Sequence, residues 1–87
     1  MQETYIYTVI TMNGDILKIL ELLESSKVPV LYKDITDLLN EDEHITYFVN
    51  RSFNSFRIYN TRYNCHIYNI FYTELDDFII IEKIVSL

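Results

Sequence analysis

The sequence predicts an α+β fold in a single domain, residues 1–87. The chain has the length of one domain, and its single glycine and single proline leave no linker or repeat that would divide it. Hydrophobic residues make up 49% of the sequence, which is enough to build a core. An alternating segment, then helical periodicity, then β-forming residues follow one another along the chain. This order predicts an N-terminal strand, two or three short helices, and a C-terminal antiparallel β-hairpin or meander.

The N-terminal segment predicts a strand. Thr4–Met12 is rich in β-branched and aromatic residues that alternate with period two, and Asn13 or Asp15 then suits a helix N-cap. The segment lacks the basic region of a secretory signal, and no apolar run reaches the roughly 20 residues that cross a bilayer. Because Cys65 is the only cysteine, no internal disulfide is possible. The sequence therefore predicts a cytoplasmic protein without membrane contact.

Two helices are predicted next. The segment 15–26, DILKILELLESS, has a broad apolar stripe and turns its charged side chains outward. It ends before Pro29, because proline disfavours the helical conformation of the residue that precedes it. The segment 32–40, YKDITDLLN, has apolar residues at i, i+3 and i+4 counted from Ile35, which predicts a second, short helix.

Residues 44–57 fit two structures. As a helix from His44 to Arg57, the segment gathers its apolar side chains on one side, and Asn40 with Glu43 resembles a capping box before it. As strands, ITYFV and FRIYN consist of good β-forming residues. The helical periodicity favours the helix over the strands. The apolar side of that helix would contain Ile45, Phe48, Val49, Phe53 and Phe56.

The last third predicts an antiparallel hairpin in which CHIYNIFYT and DFIIIEKIV are joined by ELDD. An earlier hairpin, FRIYNTRYNCHIY, is the alternative, and Arg62 would lie at its tip. The apolar run after Phe78 is prone to association if it forms an open edge. We therefore expect this run to be central in the sheet or paired with a second copy, and the latter predicts a homodimer.

The segment DILKILELLESSKVPVLYKDITDLLN resembles the first two helices of winged helix-turn-helix domains, and the resemblance covers residues 15–57. In that family an apolar helix precedes a short extended segment with a proline and then a second helix. The resemblance implies a double-stranded-DNA-binding transcriptional regulator whose third helix enters the major groove and whose hairpin, or wing, contacts the backbone. Its nucleic-acid-binding residues would be Tyr47, Asn50, Arg51, Asn54, Arg57 and Arg62.

Charge indicates a different partner. The net charge is −6, yet residues 44–73 contain three arginines and no acidic residue, so the acids lie on either side of this segment. The turn before the third helix and the tip of the wing would both meet phosphate, and both are acidic. Repulsion there opposes the electrostatic attraction that supplies much of DNA affinity. These two places contain the carboxylates of Glu41, Asp42, Glu43, Glu74, Asp76 and Asp77.

The sequence therefore predicts a small acidic protein that acts by protein–protein contact with a partner of basic surface. The six carboxylates and Tyr47 are its predicted protein-binding residues, since tyrosine is enriched at interfaces. One version of this hypothesis is an inhibitor or nucleic-acid mimic directed at a nucleic-acid-handling machine in the host cytoplasm, by analogy with small proteins of viruses and mobile elements. The winged-helix regulator is the alternative.

No catalytic site, cofactor or metal site is predicted, so we do not expect an enzyme. Cys65 and His66 are adjacent, and neighbours on a strand point to opposite faces, which makes them a poor nucleophile–base pair. Two histidines and one cysteine provide no recognised zinc spacing. A single glycine excludes a glycine-rich phosphate loop.

Overall fold

The computed structural model describes residues 14–87, and the strand predicted for Thr4–Met12 lies outside them. The described part contains two helices and five strands, so the predicted α+β class is confirmed. In chain order the elements are α1 (Gly14–Ser26), β1 (Val30–Leu31), α2 (Tyr32–Asn40), β2 (Ile45–Asn50), β3 (Ser55–Asn60), β4 (Cys65–Leu75) and β5 (Phe78–Ser86).

The five strands form one antiparallel sheet in the order β1-β5-β4-β3-β2, and both helices cover the same face of it. Helix α1 packs along β5 and α2 packs against β2. We call the helix-covered side of the sheet the inner face and the opposite side the outer face. No described element covers the outer face. The C-terminal part is thus a four-strand meander with a short added strand, which is more than a simple hairpin.

The core lies between the helices and the inner face, and Phe56 of β3 is its largest fully buried side chain. The Phe56 ring contacts Tyr32, Tyr47 and Tyr72, with centroids 5.6, 5.8 and 4.9 Å away. Such tilted and edge-on ring pairs add stability beyond the area that they bury. The other fully buried side chains belong to Leu20, Leu39, Ile58, Ile70, Ile79 and Ile81.

Two of these tyrosines make the free energy of unfolding decrease at alkaline pH. Burial raises the pKa of the Tyr32 and Tyr72 hydroxyls above the ordinary tyrosine value of about 10. The folded protein therefore keeps these protons where the unfolded chain has lost them. The free energy of unfolding is unaffected by this ionisation below pH of about 10 and falls as the pH rises above it.

We expect Tyr72→Phe to reduce that alkaline loss of stability, because phenylalanine has no hydroxyl to ionise. Urea denaturation at pH of about 8 and about 11 measures the difference for each protein. Tyr63→Phe is the matched control, since Tyr63 is exposed. Between the two pH values, this control should lose as much free energy of unfolding as the parent. An equal alkaline loss in the parent and in Tyr72→Phe would contradict the expectation.

Both helices predicted before residue 41 are confirmed. Helix α1 ends where Lys27 adopts a left-handed conformation with φ of 57°, a position at which helices usually place glycine. Asp15 lies within α1 and is therefore not its N-cap. Helix α2 has the predicted bounds, and its first N–H, from Tyr32, donates to the carbonyl of Asp77 at 2.8 Å. This hydrogen bond joins the start of α2 to the turn between β4 and β5.

The helix predicted for residues 44–57 is wrong, because β2 and β3 occupy this segment. Phe48 and Phe53, which that helix would bury, are 54% and 71% exposed. The residues alternate instead, so that Tyr47 and Val49 face the core while Phe48 faces outward. A turn at residues 51–54 is closed by Asn54 with φ of 49°, a conformation that asparagine tolerates. Strand propensity together with cross-strand packing therefore prevails over the helical period.

The two predicted hairpins are both present, since β3 pairs with β4 around the NTRYN turn and β4 pairs with β5 around Asp76-Asp77. Asn64 and Asp76 adopt positive φ in these turns. In a chain with one glycine, asparagine and aspartate take this role because their short polar side chains tolerate the left-handed region.

The outer edge of β5 is covered within the chain. β1 pairs with the first two residues of β5, and beyond these two residues side chains from the end of α1 form hydrogen bonds with the β5 backbone. The Ile84 N–H donates to Glu24 Oε2 at 2.8 Å, and Lys27 Nζ donates to the carbonyls of Ile81 and Glu82 at 3.4 and 2.5 Å. The reason for expecting a homodimer through β5 is thereby removed. Within the described part, β1 and β2 are the two edge strands; β1 has two residues and β2 has six, so homodimerisation stays a prediction and would use β2.

Candidate functional site

Helix α2 brings the two predicted acidic groups into line. The turn with Asp76 and Asp77 meets the start of α2 through the hydrogen bond from Tyr32, and residues 41–43 continue directly from its end. Nine residues of helix separate the two groups by roughly 14 Å. Asp34 and Asp37 lie exposed between them. We call this strip the acidic ridge; it consists of Asp34, Asp37, Glu41, Asp42, Glu43, Glu74, Asp76 and Asp77.

Two carboxylates of the acidic ridge have local partners. Asp42 Oδ1 accepts the backbone N–H of His44 at 2.8 Å and so stabilises the turn before β2. Asp37 accepts from Lys33 Nζ at 2.7 Å, and this hydrogen bond, together with the charge of Asp37, raises the pKa of Lys33. Because both members of the Lys33–Asp37 pair are exposed, a competing cation can displace the lysine.

A groove with an apolar floor lies between α1 and α2, beside the acidic ridge. Its volume is about 410 Å³. Ile19 of α1 is 43% exposed at this groove, which is high for a large apolar side chain on a packed helix. The floor is formed by Ile19, Leu23, Val30, Ile35 and Leu38, and the rim by Asp34, Asp37 and Glu41.

A second concavity, of about 470 Å³, lies at the start of α2. Arg51, from the turn between β2 and β3, approaches Tyr32 and Glu74 there. Carboxylates and arginine therefore share this concavity, so its charge is more balanced than that of the α1–α2 groove. The α1–α2 groove is consequently the place where carboxylates of the acidic ridge and exposed apolar surface occur together.

The structure places the predicted protein-binding residue Tyr47 differently from the carboxylates. Its ring is half-buried on the inner face and packs edge-on against Phe56. Tyr47 therefore contributes mainly to the core. The six predicted carboxylates all lie on the acidic ridge.

The six predicted nucleic-acid-binding residues are not brought onto one helix. Asn50 Oδ1 accepts the N–H of Ser52 at 3.1 Å, and Asn54 closes the same turn. Arg62 lies at the other end of the sheet, with Nη2 3.0 Å from His44 Nε2. Arg57 lies on the outer face of β3, and Arg51 in the turn between β2 and β3.

Sequence reasoning missed the groove and the part of the ridge on α2. Asp34, Asp37 and Glu41 follow one another at spacings of three and four residues, which places them on one side of a helix. That signal was present in the sequence. The exposure of Ile19 depends on how α1 packs on the sheet, and no sequence pattern indicates it.

Other chemistry is sparse in the described part. Cys65 lies opposite Asn60 and His66 opposite Tyr59, so their side chains leave β4 on different faces. Within residues 14–87, no three histidine, cysteine, aspartate or glutamate side chains converge on a position that would bind a metal ion.

Comparison with protein-family models, with curated proteins and with solved structures finds no match to this chain. Neither described helix has the length and apolar character needed to cross a membrane.

Proposed function

We propose that the protein is a non-enzymatic interaction protein whose α1–α2 groove binds a basic, amphipathic segment of a partner protein. The observation that carries this proposal is the position of the groove, whose exposed apolar floor is bordered by carboxylates from one helix. Acidic side chains alone are typical of a solvated surface. An apolar floor beside them matches a ligand that has both apolar and cationic side chains.

Charge complementarity supports a cationic partner. The acidic ridge contains eight carboxylates, and on α2 itself Lys33 is the one opposing cation. Carboxylates at the rim of an interface accelerate association with a cationic partner and suppress acidic partners. The apolar floor supplies affinity through the surface that it removes from water. Rim and floor therefore have separate roles in the proposed complex.

The dimensions favour a short helix as the bound segment. An α2 of roughly 14 Å runs along the groove and matches about two and a half turns of a partner helix. Apolar residues at i, i+3 and i+4 would contact Ile19 and Leu38, while arginine or lysine at the flanks would contact Asp34 and Glu41. This is the helix-in-groove mode of recognition.

One version of the proposed function is inhibition of a nucleic-acid-handling machine in the host cytoplasm. A basic segment that binds phosphate would find carboxylates spaced along the acidic ridge instead. The single cysteine, exposed at the start of β4, is compatible with a reducing compartment.

We expect the variant Ile19→Thr/Glu41→Gln to lose its partner. The double change removes one floor contact and one rim charge while leaving the buried core unchanged. The measurement is affinity capture from the native host at low salt, followed by mass spectrometry and by titration with a synthetic peptide of the captured segment. We expect at least a tenfold weaker Kd for the variant, and capture by the parent that weakens as salt rises.

The matched control is Leu22→Thr/Glu21→Gln. Leu22 is 66% exposed on α1 and Glu21 is its exposed neighbour, and neither lines the groove. This control should bind like the parent. Equal loss of binding in both variants, or capture of a partner with an acidic contact surface, would refute the groove as the site.

The winged-helix DNA-binding regulator stays a prediction. The helix that would enter the major groove is absent, since β2 and β3 occupy residues 44–57. A titration of random duplex DNA against the parent and Arg51→Ala/Arg57→Ala tests this alternative. No binding at about 50 mM salt would exclude it.

A further inference from the structure

We propose that the outer face of β2, β3 and the first part of β4 binds single-stranded nucleic acid. This site lies on the opposite side of the sheet from the α1–α2 groove and does not depend on the function proposed above. We call it the acid-free face. Its exposed or half-exposed side chains include Phe48, Arg57, Tyr59, His66, Asn69 and Phe71.

The fold turns a sequence feature into a surface. Residues 44–73 contain no acidic residue, and they form β2, β3 and all of β4 except its last two residues, Glu74 and Leu75. Every side chain that residues 44–73 contribute to the outer face is therefore neutral or cationic, and Glu74 lies beside Tyr32 of α2. Carboxylates nearby would repel phosphate, and this surface has none of its own.

Aromatic and cationic side chains are adjacent on the acid-free face. Phe48 of β2 lies directly opposite Arg57 of β3, which in turn lies opposite Asn69 of β4. Directly opposed residues have Cβ atoms about 5 Å apart. A base stacked on the exposed Phe48 ring would therefore leave its phosphate within reach of the Arg57 guanidinium.

Neighbouring groups extend this arrangement along the strands. The rings of Tyr59 and His66 lie with their centroids 4.9 Å apart, and Tyr59 follows Arg57 by two residues, at the next outward-facing position of β3. Phe71 lies opposite Lys83 of β5. The neighbouring Glu82 accepts a hydrogen bond from Thr73 at 2.8 Å, so β5 adds one cation and one carboxylate beside the acid-free face. Aromatic platforms alternating with cations suit a single strand, because every base has a π-face and every nucleotide a phosphate.

Arg57 is available for a ligand, and Arg51 lies between the acid-free face and the concavity at the start of α2 that Glu74, Asp76 and Asp77 also line. Within the described part, neither the Arg57 nor the Arg51 side chain forms a hydrogen bond or an ion pair. A shallow concavity of about 340 Å³ brings both of them together with Phe48 and His66. It contains no carboxylate.

The shape of the face indicates a single strand and not a duplex. Three strands spaced about 4.8 Å apart make a surface roughly 14 Å wide, whereas the major groove is about 12 Å wide and admits one helix or a two-stranded ribbon. Bases that are already unpaired can lie flat on such a surface and stack on its aromatic side chains.

The net charge of −6 does not prevent this binding at physiological salt. Five of the eight carboxylates of the acidic ridge belong to α2 and the turn that follows it, and the described part of the protein measures 20 Å along its shortest axis. Screening reduces charge interactions over about 8 Å at physiological ionic strength. A phosphate on the outer face therefore experiences the local arginines more strongly than the carboxylates of the acidic ridge.

Fluorescence anisotropy of the full chain with labelled oligothymidylate and oligouridylate of about twelve nucleotides tests the proposal. We expect a Kd on the order of 10 µM at about 50 mM salt, with log K falling by about 2 for each tenfold rise in salt if three cations contact phosphate. A DNA duplex of equal length should bind several-fold more weakly.

Two variants distinguish the contributions of stacking and charge. Phe48→Leu keeps an apolar side chain but removes the ring, and Arg57→Ala removes the central cation; each should weaken binding about tenfold. Lys33→Ala, which removes a cation from the helix layer, is the matched control and should bind like the parent. Thermal denaturation confirms that each variant remains folded.

Several results would overturn the proposal. These are no binding of either oligonucleotide at about 50 mM salt, duplex binding as tight as single-strand binding, or unchanged affinity in Arg57→Ala. If polyglutamate displaces the labelled oligonucleotide as well as unlabelled oligonucleotide does, and Phe48→Leu binds with unchanged affinity, then the ligand is an acidic protein segment instead.

Discussion

Phe56→Ala is expected to remove a large part of the stability of this protein. Phe56 is fully buried, and its ring contacts three tyrosines from α2, β2 and β4. Truncating a buried phenylalanine costs about 3–5 kcal/mol, because the transfer free energy is lost and a cavity remains. Domains of this size have a total stability of roughly 4–13 kcal/mol. Urea denaturation followed by circular dichroism measures the change in the free energy of unfolding.

The matched control for this prediction is Phe53→Ala, three residues earlier in the chain. Phe53 is 71% exposed in the turn between β2 and β3, so its truncation should change the free energy of unfolding by less than about 0.5 kcal/mol. The helix predicted from the sequence buries both phenylalanines and therefore expects two large losses. Similar effects of the two substitutions would favour that helix and contradict the β2–β3 hairpin.

Glu24→Ala/Lys27→Ala is expected to open the edge of β5 and cause self-association. The Ile84 N–H and the carbonyls of Ile81 and Glu82 would lose their side-chain partners. Leaving a half-buried backbone donor unsatisfied costs about 2 kcal/mol. The uncovered edge of β5 is also apolar and β-prone, so another copy can pair with it. Sedimentation velocity at increasing protein concentration detects the added association, and urea denaturation measures the loss of stability.

Lys18→Ala/Glu21→Ala is the matched control for the variant that uncovers the edge of β5. These residues lie exposed on the same helix, and their removal also leaves the net charge unchanged. The control should sediment like the parent at every concentration. If the Glu24 and Lys27 variant also sediments like the parent, then α1 covers the edge by packing alone and the two side chains are dispensable.

The sequence predicts the two helices well because each has an unambiguous period. In α1 the apolar stripe continues for three turns, and in α2 it begins right after the proline-containing segment. Residues 44–57 differ, since their apolar residues satisfy a helical stripe and β-forming composition at the same time. Whether this segment forms a helix or strands depends on the residues that pack against it across the sheet. Tyr47 and Val49 pair with Ile58 and Phe56, and a local pattern contains no information about such partners.

The candidate site is predictable in part for the same reason. The carboxylates at residues 41–43 and 74–77 are visible in the sequence, and so is the helical spacing of Asp34 and Asp37. Their alignment depends on the hydrogen bond from Tyr32 to Asp77, which joins residues 45 positions apart. The acid-free face likewise requires the strand order, because only adjacent strands turn a stretch of sequence without acidic residues into one surface.

The opposed charges of the two layers also give the molecule a dipole moment in addition to its net charge. Five of the eight carboxylates of the acidic ridge lie on α2 and the turn after it, and Arg57 lies on the outer face of the sheet. In the field of a charged surface, a body with this distribution experiences a torque and rotates as it approaches. The helix layer then leads toward cations and the sheet leads toward anions. Orientation is therefore selected within about a Debye length of contact, before any side chain touches its partner.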